Sequence, residues 1–176
     1  MARSTRAWGW HELDPRWAQR LVAESDLRPH ALVLDVGAGR GAITAALLDA
    51  DARVVAFELH RARHALLVER FGDTARIVRA DVADLRLPRR PFHVVANPPF
   101  AVSSALLRRL LAPGSRLVSA HLVLQHQAAA RWAGPGAPGA GRWSKRFRVE
   151  LGRRLPRRAF SPPPRVDARL LHIRRR

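Results

Sequence analysis

Apolar runs of strand length recur along the chain, and helical patterns separate most of them. HALVLDV (30–36), ARVVAFE (52–58), TARIVRAD (74–81), PFHVVAN (91–97) and SRLVSAHLVLQ (115–125) have the length and β-branched content of buried strands. GAGRGAITAALLDA, LHRARHALLVERF and AVSSALLRRLLA follow the first, second and fourth runs with apolar residues at helical spacing. Strands joined through helices pair in parallel, because a hairpin cannot make that connection. The expected fold class is therefore α/β, a doubly wound and mostly parallel sheet. After the fifth run the pattern changes. GPGAPGAG (134–141) has the glycine and proline content of a flexible segment with no regular element. RFRVELGRRL and VDARLLHI then alternate with no helix between them, which predicts an antiparallel closing pair at one edge. LDPRWAQRLVAESDL (13–27) has helical spacing and predicts a leading helix. There is no internal repeat, and 176 residues suit a single domain over 1–176.

Sheets of this kind bind ligands at the carboxyl ends of their strands. The first run ends on Asp35 and leads into Gly37, Gly39 and Gly41, where missing side chains let the backbone turn and approach a ligand. Glu58 ends the second run, placed to hold both hydroxyls of a ribose, and Asp81 ends the third, beside the position of an adenine. The glycines alone also satisfy a dinucleotide fingerprint through Gly37, Gly39 and Ala42. Asp35 argues against that reading, since its carboxylate would lie beside a pyrophosphate. It suits a ligand with a positive ammonium and sulfonium. The ordered acids and glycines at successive strand ends therefore point to S-adenosylmethionine.

The fourth run ends in VVANPPF (94–100). Prolines end strand pairing, and an asparagine there forgoes apolar burial. The Asn97 side-chain oxygen and the Pro98 carbonyl could accept both N–H groups of a planar exocyclic amine. That would favour the pyramidal form, whose lone pair can attack a methyl group. Pro98 and Pro99 fix the turn in advance, and Phe100 offers a face for stacking a base. A bland alternative is a proline turn in which Asn97 is only a local cap.

Charge bears on the partner. Lys+Arg total 32 against Asp+Glu 14, a formal net charge of +18, and every basic residue but Lys145 is arginine. Such an excess attracts polyanions, and guanidinium groups fork onto phosphates and stack on bases. A nucleic acid is the expected partner. RWSKRFR (142–148), GRRLPRR (152–158) and RRR (174–176) are the candidate contacts, gathered near the closing strands. The chain has no cysteine, which excludes disulfides and thiolate chemistry. Its eight histidines show no metal-binding spacing, so no metal is expected. The tryptophans read as packing residues, with Trp143, inside a basic stretch, the best placed as a base platform. No apolar run reaches membrane length, the N-terminus does not read as a secretory leader, and the simplest expected location is cytoplasmic.

LVLDVGAGRGAIT, VVAFELH, RADVADL, VVANPPF and AFSPPPRVD together resemble the rRNA adenine N6-methyltransferases, most of all the Erm family acting on 23S rRNA. The last segment resembles the family's F-x-P-x-P-x-V-(D/N) motif and is the most specific, because NPP-aromatic also occurs in glutamine N5- and DNA adenine methyltransferases. The resemblance implies a class I methyltransferase domain, 23S rRNA as partner, and macrolide–lincosamide–streptogramin resistance. It gives donor-binding roles to His11, Leu13, Gly37, Glu58, Asp81 and Asn97. It gives the target-base site to Asn97, Pro98, Phe100 and Phe160, with Phe160 clamping a flipped adenine. Two features depart from the family. Trp10 and Glu12 stand in GWHEL (9–13) where the family has glutamine and phenylalanine. A helical C-terminal domain is also expected to be missing, with the arginines of a monomeric catalytic domain holding RNA instead. Alternatives are a 16S rRNA adenine dimethyltransferase of ribosome assembly, a protein glutamine N5-methyltransferase, or a non-catalytic RNA-binding protein.

Overall fold

The computed structural model describes residues 11–176, so Trp8 and Trp10 lie outside the described residues. Strands β1 (Glu12–Leu13), β2 (Leu32–Val36), β3 (Arg53–Phe57), β4 (Arg76–Val78), β5 (Phe92–Ala96) and β6 (Leu117–Gln125) lead to β7 (Phe147–Leu155), β8 (Phe160–Ser161) and β9 (Ala168–Arg175). The helices are α1 (Pro15–Ala23), α2 (Ala42–Asp49), α3 (Arg61–Phe71), α4 (Ser103–Leu110), α5 (His126–Ala133) and α6 (Ala140–Trp143). A seven-stranded sheet has the order β4-β3-β2-β5-β6-β9-β7. Its first five members pair in parallel, as the strand–helix alternation predicts. β2 lies mid-sheet and its last four residues are buried, which accounts for its continuous apolar run.

The predicted antiparallel closure is present with a different connectivity. β9 inserts between β6 and β7 and runs antiparallel to both. It is apolar enough to be covered on both sides, whereas β7 carries exposed Arg148, Glu150 and Arg154 and takes the edge, where charge blocks further pairing. Two apolar layers flank the sheet. One gathers Leu21 of α1, Leu47 of α2 and Leu67 of α3. The other gathers Leu106 and Leu110 of α4 with Trp132 of α5.

One helix is unanticipated and two local expectations are corrected. The segment after β6 forms α5, a helix that the apolar spacing alone does not announce. The glycine-rich run does not stay irregular throughout: Gly139 at φ 69° caps the single turn of α6. Trp143 is no base platform. It is 7% exposed, packs 6.5 Å from the Trp132 ring, and donates its indole N–H to the Pro138 carbonyl.

β1 and β8, two residues each, pair antiparallel, with Glu12 opposite Ser161 and Leu13 opposite Phe160. This ribbon joins the GWHEL segment to AFSPPPRVD, two stretches about as far apart in sequence as the chain permits. The Asp14 amide extends it by donating to the Ala159 carbonyl, and the Asp14 carboxylate caps α1 through the Arg16 amide.

Candidate active site

The carboxyl ends of β2, β3, β4 and β5 converge, as parallel pairing requires. Gly37 leaves β2 at φ 77°, and its amide and that of Ala38 donate to the Phe57 carbonyl. A Cβ on Gly37 would lie 2.7 Å from Pro99 Cδ and 3.3 Å from Pro98 Cα. The glycine loop and the proline turn are therefore built against each other. Gly41, at φ 92°, caps α2 and leaves room for the Phe71 ring.

Two spaces meet at Gly37. The larger, about 290 Å³, is lined by Glu58, Asp81, Val82, Leu85 and Pro99 among others. The smaller, about 20 Å³, is lined by His11, Leu13, Asp35, Gly39 and Asn97. Every residue given a donor-binding role thus borders one of them. The larger space has apolar walls and two acids at its rim, which suits a nucleoside with a hydroxylated ribose.

Asp35 is fully buried. Its Oδ2 accepts a 2.7 Å hydrogen bond from the Thr44 hydroxyl, and its Oδ1 has no partner. Burial pushes this carboxyl up to about 7. The Thr44 bond opposes the shift, and the charge of Glu58 adds to it. A buried anion with an open oxygen is costly unless a cation or donor meets it, and a ligand ammonium would do so.

Glu58 is 3% exposed. Its Oε2 accepts from the Gly39 amide at 2.9 Å, and its Oε1 from the His60 amide at 2.8 Å and Arg63 at 3.0 Å. A carboxylate has about four acceptor positions, so three of them are spent on shaping the loop. The sequence expectation that Glu58 holds both ribose hydroxyls is narrowed to one further bond, on Oε2, unless a partner yields. Asp81 is half-buried and caps the turn Val82–Asp84 by accepting from the Ala83 amide at 2.9 Å. Thr44, His60 and Arg63 were missed by sequence reasoning. Their only signal was closeness to Asp35 and Glu58 in the chain.

Asn97 stands where β5 ends, half-buried beside the smaller space. Its Nδ2 donates to the His11 carbonyl at 2.7 Å, which fixes the amide and turns Oδ1 the other way. The His11 ring lies 5.8 Å from the Phe100 ring, and its Nδ1 is 2.8 Å from the Pro162 carbonyl. Residue 11 therefore ties the N-terminal segment to the NPPF turn and to the late motif together. Phe100 is half-buried and packs against an apolar cluster that contains Phe160. Phe160 itself is 4% exposed, inside that cluster rather than open to solvent.

Residues 11–176 match the family described as ribosomal RNA adenine dimethylase. The chain belongs to that family. It is 36% identical over 147 residues to an rRNA adenine N-6-methyltransferase of Corynebacterium diphtheriae, covering 81% of this chain and 57% of the relative. It is 38% identical over 148 residues to the mycinamicin-resistance protein MyrB of Micromonospora griseorubida, covering 82% and 47%. A ribosomal RNA small subunit methyltransferase A of Ralstonia nicotianae is 34% identical over 164 residues, covering 87% and 58%. The chain therefore spans about half to three fifths of the length of these relatives. Among solved structures, the 23S rRNA methyltransferase ErmE superposes with a TM-score of 0.79 at 29% identity, over 93% of this chain and 68% of that one. The fold is that of a class I methyltransferase, a mostly parallel α/β sheet with an antiparallel edge. Among the described residues no helix is long and apolar enough to cross a membrane, and no group of three His, Asp or Glu could hold a metal ion.

Proposed function

We propose that this protein methylates the N6 amine of an adenine in 23S rRNA, with S-adenosylmethionine as methyl donor. The observation that carries the reading is the Asn97 amide, held by the His11 carbonyl so that Oδ1 is left to accept from an amine at the mouth of the donor space. Asp35, Gly37, Gly39, Glu58 and Asp81 would hold the donor, with His11 and Leu13 closing its amino-acid end. S-adenosylmethionine supplies an electrophilic methyl group on a sulfonium. Asn97 Oδ1 and the Pro98 carbonyl hold the two amine hydrogens, and the stiff proline turn keeps that geometry before the substrate arrives. No strong base is required, because the nitrogen turns acidic as it gains the methyl group. Phe100 stacks the adenine, which must leave its helix to reach this depth. Phe160 backs that platform, and the clamping role implied by resemblance needs its ring to swing outward.

The 23S rRNA methyltransferase ErmE supports a 23S target, and the mycinamicin-resistance relative supports a role in antibiotic resistance. The small-subunit relatives favour a second reading, dimethylation of 16S rRNA adenines. Primer extension across both rRNAs from cells expressing the protein separates the two. A new stop at an adenine of 23S rRNA supports the first reading. Stops confined to 16S rRNA replace it with the second, and nucleoside digests of both rRNAs with no added N6-methylated adenosine refute both.

A further inference from the structure

The three arginine-rich runs do not share one place, as the sequence suggests. Residues 152–158 lead to the carboxyl end of the sheet, toward the active site. Residues 142–148 and 174–176 meet at the opposite end, because β9 finishes where β6 and β7 begin. Phe147 is opposite Arg175, and Arg174 is opposite both Arg148 and Ser119. Arg175 donates to the carbonyls of Leu117 and Ser115, and Arg176 to that of Ser144, so these turns are knitted into one surface.

Arg28, Lys145, Arg148, Arg174, Arg175 and Arg176 are all exposed there. Like charges directly across an antiparallel pair are destabilising, and Arg148 and Arg174 form such a pair. Arg148 has Glu150 at 2.8 Å, whereas no carboxylate pairs with Arg174 or Arg28 among the described residues. Beside them opens a cavity of about 450 Å³, lined by Ser25, Asp26, Arg28, His93, Ser119 and Arg174. Its floor is polar, with His93 Nδ1 2.8 Å from the Ser119 hydroxyl. Asp26 is its single acid against three arginines, Arg28, Arg174 and Arg175.

We propose that this end of the sheet is a second rRNA-contacting surface, at which backbone phosphates lie over Arg174 and Arg28. The inference rests on the rRNA reading above. Nine residues of β6 at ~3.3 Å each set the two ends of the sheet about 30 Å apart, so one short hairpin at Asn97 does not cover both. The surface engages a segment of the same RNA remote from the target adenine, and bound phosphates offset the Arg148–Arg174 repulsion.

The test compares full-length 23S rRNA with a short hairpin transcript carrying the target adenine. The charge reversal R28E/R174E should weaken binding of the full-length RNA by ~10-fold or more and flatten its salt slope by about 2. Hairpin binding and methylation should stay within about 2-fold of wild type, since neither residue touches the catalytic end. R28Q/R174Q should move the same way with a smaller effect. R108E/R131E makes the same charge change at exposed positions of α4 and α5, which pack on the other side of the sheet. An equal loss in that control, an equal loss on the hairpin, or unchanged binding of the long RNA overturns the proposal. Unchanged RNA binding with lost sedimentation on phosphatidylserine vesicles would assign the surface to lipid instead. Should wild type methylate neither RNA, the catalytic reading fails, while the binding comparison still decides this one.

Discussion

Gly37 joins the two halves of the site, since its missing side chain admits both the turn after β2 and the prolines of the NPPF motif. Gly37→Ala should lose ~1–2 kcal/mol from the left-handed backbone alone. It should also weaken donor affinity by ~10-fold, because the proline turn must move. Calorimetry with S-adenosylmethionine on the folded variant checks this, and wild-type affinity would contradict it. Asp35 carries a second prediction. Its carboxyl titrates near 7 when folded, against an ordinary value of 3.8, so the folded state holds the extra proton between those limits. Its contribution to stability therefore falls as pH rises through that window. His121 works the other way. Burial first, then His172, Arg174 and His93, lower its pKa from 6.5 to about 4, so stability falls as pH drops through that range. Asp35→Asn removes only the first effect. Urea unfolding between about pH 5 and about pH 7 should then show stability rising more steeply with pH than in wild type, by up to ~1.4 kcal/mol per pH unit. Parallel slopes would show that Asp35 is already ionised in the folded protein.

The β1–β8 ribbon brings together two motifs that lie far apart in the linear sequence. A two-residue pairing has no periodicity to detect, and its partners are joined only by folding. The parallel strands were legible because each carries its own apolar run, and the grouping of Asp35, Glu58, Asp81 and Asn97 around two adjoining spaces was legible because they are polar residues closing those runs. The insertion of β9 between β6 and β7 was not legible, since two alternating strands fix that they pair but not which of them meets β6. The burial of Phe160 was equally hidden, because an aromatic beside prolines reads the same whether it faces a base or the core. Phe160→Leu keeps most of the buried volume and removes the aromatic ring. It should leave donor affinity within about 2-fold of wild type and lower turnover on rRNA, with a stability loss below ~1.5 kcal/mol. Binding and single-turnover assays separate these effects, and parallel loss of donor affinity would reduce Phe160 to packing alone. Gly152 marks the irregularity of β7, where a Cβ would collide with the His172 ring. Gly152→Ala should therefore destabilise the closing strands by ~1–3 kcal/mol, read from the urea midpoint. An unchanged midpoint would mean that the ring moves aside freely.

With a net charge of +18, the whole molecule is an electrostatic trap for polyanions, and its arginines are distributed between two ends of one sheet. RNA affinity should fall steeply with salt, by a logarithmic slope of about 0.7–0.9 for each phosphate neutralised. A flat response in filter binding would remove the arginines from the account. Electrostatics can gather RNA but cannot choose an atom. The proposed reading gives that choice to the Asn97 amide, which is fixed by the His11 carbonyl and followed by Pro98 and Pro99. The most direct measurement supplies purified protein with 23S rRNA and S-adenosylmethionine labelled on the methyl group, then digests the RNA to nucleosides. Wild type should place label on N6-methylated adenosine, and Asn97→Ala should place none while keeping its fold and RNA affinity. Label on any other nucleoside, or undiminished labelling by Asn97→Ala, would contradict the role of this strand end.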